Sequence, residues 1–130
     1  MKKETPAERQ LFEALATAGY QPAKQHQFLG GLRDWRFDLA YPPILLAIEI
    51  DGLHGHIRHQ DRVNDFQKRN AAIECGWRVL VYPAGRIATL KRRALIVEQV
   101  ARIICGVCDE LSAVEVLADT PDRKLSKGLG

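Results

Sequence analysis

Leu45-Leu46-Ala47-Ile48-Glu49-Ile50-Asp51 is the stretch on which the fold turns. Apart from Glu49 and Asp51 every residue is apolar, and the run is short, as in a central strand covered on both faces. Alternation sends Glu49 and Asp51 to one face and Ile48 and Ile50 to the other. Carboxylates in such surroundings lose hydration and must recover it from a metal ion or a basic partner.

Immediately upstream, Trp35-Arg36-Phe37-Asp38-Leu39-Ala40-Tyr41 alternates large apolar residues with Arg36, Asp38 and Ala40, and Pro42-Pro43 breaks it. A two-residue turn at the prolines predicts Tyr41 opposite Ile44 and Asp38 opposite Ala47. Asp38 then becomes a same-face diagonal neighbour of Glu49, about 7 to 8 Å away at the backbone, close enough to share one cation. The same register sets Arg36 opposite Glu49, which leaves an internal salt bridge as the alternative. Gln25 to Leu29 reads as a further short strand with a turn at Gly30-Gly31, and Gln27 is a candidate for orienting a water or a phosphate.

Helices flank these strands. Thr5-Pro6-Ala7-Glu8 is a helix start, with Thr5 as N-cap, Pro6 in the first turn and Glu8 as capping-box partner. Leu11, Phe12, Leu15 and Ala18 form the buried stripe up to Gly19, and Glu8 or Glu13 could add a carboxylate to a site. After a polar loop from Gly52 to Gln60 holding His54, His56 and His59, Asp61 to Glu74 reads as a helix ended by Gly76. Trp77 to Tyr82 is a strand stopped by Pro83. A long helix from about Thr89 to Leu111 turns Leu95, Ile96, Val100, Ile103, Ile104, Val107 and Leu111 toward a core. The expected order is helix, three strands, helix, strand, helix, in one domain over residues 1–116 with a flexible tail over 117–130.

The composition is consistent with that plan. The 130 residues are 46% hydrophobic and 27% charged, enough for one core. No run of about 18 apolar residues exists and the first residues lack a signal-type apolar segment, so a soluble protein of the cytoplasm with no membrane partner is expected. Three cysteines, Cys75, Cys105 and Cys108, are not a secreted disulfide framework, and Cys105-Gly-Val-Cys108 is expected to pack in the core. A formal charge of +3 is compatible with a polyanionic partner.

Taken in order, Thr5-Pro6-Ala7-Glu8-Arg9-Gln10-Leu11-Phe12-Glu13-Ala14-Leu15, Phe37-Asp38-Leu39-Ala40, Ala47-Ile48-Glu49-Ile50-Asp51-Gly52 with His54, and Lys68-Arg69-Asn70 leading to Gly76-Trp77-Arg78-Val79-Leu80 resemble the very-short-patch-repair-like endonucleases of the PD-(D/E)xK nuclease superfamily. The resemblance spans roughly Thr5 to Tyr82 and implies an α/β, restriction-endonuclease-like three-layer core: a mixed sheet of about four strands flanked by helices. It also implies Mg²⁺ or Mn²⁺ held by Asp38 and Glu49, with Asp51 as third ligand. Asp51 stands where the superfamily's usual motif has lysine, a departure that the very-short-patch-like branch shares. The missing cation is then sought at Lys68, on the following helix.

Two acids and a hydrated divalent ion suit phosphodiester hydrolysis, since the ion neutralises the transition state and lowers the pKa of a bound water. His54 is a candidate general acid or base. A competing reading makes His54, His56 and His59 zinc ligands. Arg33, Arg36, Arg58, Arg62, Lys68 and Arg69 would meet DNA phosphates. The expected function is a Mg²⁺-dependent endodeoxyribonuclease with Asp38, Glu49, Asp51, Lys68 and His54 as its catalytic set. The alternative is a catalytically weak or inactive nucleic-acid-binding module on the same fold, and a ribonuclease is a third reading. A homodimer is compatible with cutting both strands, and the last helix has an apolar face available to the core or to a second copy.

Overall fold

A computed structural model describes residues 3–30, 32–52 and 59–118, of which 59–63, 109 and 111–118 by main chain alone. The elements are α1 (Pro6–Thr17), β1 (Ala23–Gln27), β2 (Arg36–Tyr41), β3 (Leu46–Asp51), α2 (His59–Glu74), β4 (Arg78–Pro83) and α3 (Leu90–Ala118), with single 3-10 turns at Pro42–Ile44 and Ala84–Arg86. The four strands form one sheet in the order β1-β2-β3-β4. β1 and β2 are antiparallel, as are β2 and β3, whereas β3 and β4 run parallel because α2 carries the chain back between them. The protein is thus the mixed four-stranded α/β fold expected. The chain divides into two units, Met1–Val97 and Glu98–Gly130. No helix among the described residues is long and apolar enough to cross a membrane.

Local chemistry explains the elements. The Thr5 hydroxyl accepts from the Glu8 amide at 3.2 Å, and Leu11 and Leu15 bury the inner side of α1 completely. Ala18 is the exposed C-cap rather than part of the stripe, and Gly19 takes φ +95° to end the helix. β3 is covered on both faces: Leu46, Ala47 and Ile48 are at most 1% exposed and Ile50 8%. Phe37, Ala40, Ala47, Ala72 and Trp77 form a cluster in which the Phe28 and Phe37 rings stack with centroids 4.4 Å apart.

Several expectations are corrected. The prolines do not make a two-residue turn: Pro42–Ile44 form a 3-10 turn, and Leu45 closes it in the left-handed region at φ +52°. The longer connection sets Leu39 against Ile48, Ala40 against Ala47 and Tyr41 against Leu46, two residues from the predicted register. β1 begins at Ala23 rather than Gln25, and α2 at His59 rather than Asp61. Leu95, expected in the core, is 58% exposed, whereas Ile96 and Val100 are buried. The three cysteines are exposed and in no disulfide, so Cys105 and Cys108 do not pack in a core. α3 extends to Ala118, and the proposed tail beyond it lies outside the described residues.

Candidate functional site

Continuing the β2–β3 register past Leu39 and Ile48 brings Asp38 opposite Glu49, and there the side chains replace the backbone ladder. Glu49 Oε2 accepts the Asp38 amide at 3.2 Å, and Asp38 Oδ2 accepts the Ile50 amide at 2.8 Å. Each carboxylate is therefore anchored to the neighbouring strand. Asp38 is 3% exposed. From α2 the Lys68 ammonium donates to Glu49 Oε1 and stands 5.7 Å from the centre of the Phe37 ring. Burial raises the Glu49 pKa; the Lys68 charge opposes it, the Asp38 charge adds to it, and the net direction is upward.

A second group meets Asp38 from α1 and β1. Glu8 is only 3% exposed, and its Oε2 accepts from Gln25 Nε2 at 3.1 Å. Glu8, Gln25, Asp38 and Leu39 line a cavity of about 420 Å³, with Lys3, Glu4 and Lys24 also on its wall. The β1–β2 pairs are Ala23–Ala40, Lys24–Leu39, His26–Phe37 and Gln27–Arg36, a series that passes over Gln25 and Asp38. The same register holds on both sides of that gap, so Gln25 still stands opposite Asp38.

Of the residues singled out from the sequence, Asp38, Glu49 and Lys68 come together. Asp51 ends β3 and is exposed, and His54 and His56 lie outside the described residues, while His59 opens α2. Arg36 does not bridge to Glu49; it pairs with Asp34 at 2.9 Å. Gln27 is turned away from the acids, donating to the Arg33 carbonyl and to Asp34 Oδ1. Arg33 lies over the Trp35 ring at 4.6 Å, and Arg69 is exposed on α2. Arg58 lies outside the described residues, and Arg62 is described by main chain alone. Of Glu8 and Glu13, the two candidates for an added carboxylate, Glu8 is the one that lines this cavity, and Gln25 is the residue that sequence reasoning did not mark.

Among the described residues no group of three or more His, Cys, Asp or Glu side chains converges as a ready metal cage. The donors present are nonetheless hard oxygens on adjacent strands, and Mg²⁺ is ordinarily held by one or two carboxylates with water in the remaining positions. Asp38 and Glu49, fixed to each other's strands, fit that requirement.

No family model matches the sequence, and no curated protein is similar to it. Among solved structures, the catalytic domain of the homing endonuclease I-Bth0305I is similar, with a TM-score of 0.57 and 21% identity over 76% of this chain and 93% of that one. The likeness is one of fold, in the α/β arrangement described above.

Proposed function

We propose that the protein is a metal-dependent DNA endonuclease that hydrolyses phosphodiester bonds. The observation carrying this reading is the pairing of buried Asp38 with half-buried Glu49, with the Lys68 ammonium against the second of them. Support comes also from the nuclease-like fold, whose solved neighbour is a homing endonuclease catalytic domain. The very-short-patch-repair-like branch of the PD-(D/E)xK nucleases is the relationship proposed, on the motif order rather than on any family match.

In this reading Asp38 and Glu49 hold Mg²⁺ or Mn²⁺, which supplies charge neutralisation and acidifies a bound water. Lys68 keeps Glu49 oriented and presents a positive charge where the usual lysine of the motif is replaced by Asp51. Asp51 extends the acid set at the exposed end of β3, and His54, three residues on, moves a proton. Glu8 lines the same cavity as Asp38 and would add a second oxygen donor to that side. Arg33 and Arg69 contact the DNA backbone, and cytoplasmic action on DNA by a pair of chains is the proposed setting.

Purified protein incubated with supercoiled plasmid, linear duplex, single strands, a four-way junction and matched RNA, each with Mg²⁺, Mn²⁺ or EDTA, tests the proposal. Metal-dependent DNA cleavage abolished by Asp38→Ala and by Glu49→Ala is expected. DNA binding without cleavage of any substrate would favour a binding module on the same fold.

A further inference from the structure

Gln25 holds a backbone conformation its residue type rarely adopts, φ +48°, in the middle of β1. Such a residue persists only where its neighbours enforce it, and strained positions of this kind cluster at functional sites. Here the strain interrupts β1–β2 pairing opposite Asp38, the buried carboxylate of the site. The side chain does not run into solvent: its amide donates to Glu8 at 3.1 Å, and both residues line the cavity with Asp38. Arg36 Nη1 donates to the Gln25 carbonyl at 3.4 Å and so holds the irregular main chain from the neighbouring strand.

We infer that Gln25 is a positioning residue, which uses its left-handed backbone to aim an amide at Glu8 and thereby keeps the Glu8 carboxylate toward Asp38 for a divalent cation. A neutral donor suits this place. Lys68 brings a positive charge to Glu49 as well as orienting it, whereas the Gln25 amide orients the Glu8 carboxylate without adding charge of its own. A glycine would take this φ without strain but would leave Glu8 without that donor. This inference rests on the metal-binding reading of Asp38.

The test is Mn²⁺ titration of the whole protein by calorimetry, with thermal unfolding in EDTA as the measure of structure. Gln25→Gly removes both the strain and the amide; Gln25→Met removes the amide and keeps the side-chain bulk. Both are expected to weaken Mn²⁺ binding about tenfold, the usual effect of losing a group that orients a ligand. Gln25→Gly should unfold within a few degrees of the parent. Combined with Glu8→Gln, Gln25→Gly should cost no more affinity than Glu8→Gln alone, because the two act through one carboxylate. Parental Mn²⁺ affinity in both Gln25 variants, or additive losses in the double variant, would overturn the inference. If Asp38→Asn binds Mn²⁺ like the parent, the metal reading itself fails and the inference falls with it; if Asp38→Asn loses binding while the Gln25 variants keep it, the role of Gln25 alone is wrong.

Discussion

At Glu49 two opposing influences act on one carboxylate: burial disfavours its charge, and Lys68 favours it. Burial prevails, so the folded chain holds the Glu49 proton more tightly than the unfolded chain does. The stability this contributes is fully present below the ordinary carboxylate range and is lost as pH rises through the folded pKa. In EDTA, the parent should therefore lose stability relative to Glu49→Gln as pH rises above the ordinary carboxylate range, as read by urea unfolding. A gap independent of pH would contradict the direction given for Glu49. Lys68→Met makes a complementary prediction. It frees Glu49 for the ion while removing the charge proposed for the reaction, so Mn²⁺ should bind no more weakly than in the parent, yet cleavage should fall about 100-fold. Equal loss of both would make Lys68 a structural partner only. Asp38 and Glu49 were legible in the sequence because acids in apolar strands need a counter-charge, whereas Lys68 was reached only through the resemblance, as the basic residue on the helix after the acidic strand. Gln25 was not, because nothing in a polar strand residue announces a positive φ.

Register, at the scale of elements, was the quantity least visible in advance. Alternation around Asp38 and Glu49 gave the correct pairing of parities, but the Pro42–Leu45 connection decided which residues meet, and its left-handed Leu45 carries no glycine to mark it. The error of two residues preserved the faces and moved Asp38 from diagonal to direct opposition with Glu49. The gap in β1–β2 pairing at Gln25 was likewise hidden, since no glycine marks its positive φ. The junction of α2 and β4 was readable, because Gly76 follows the last helical residues and takes φ +88°. Gly76→Ala would force an L side chain into that conformation, with its Cβ 3.5 Å from Leu45 Cδ1. A loss of about 1 kcal/mol in denaturant unfolding is expected. An unchanged stability would mean that the turn relaxes and that α2, which carries Lys68, is not pinned there.

For the whole molecule, the element order translated directly into topology: consecutive strands pair antiparallel, and the helix between β3 and β4 makes the last pair parallel. What hydrophobicity alone left open was which of two adjacent apolar residues at the start of α3 is covered: Ile96 is buried and Leu95 is not. The net charge of the chain is only +3, so if it acts on DNA as proposed, recognition and chemistry should be separable. The most direct measurement is cleavage and binding of one labelled DNA, chosen from the substrates the parent cuts, by the parent and by Glu49→Gln under the same Mg²⁺ concentration. The account predicts that the variant cleaves at least about 100-fold more slowly and binds within about twofold of the parent. Cleavage at the parental rate, with binding intact, would contradict the assignment of the buried acids to the reaction.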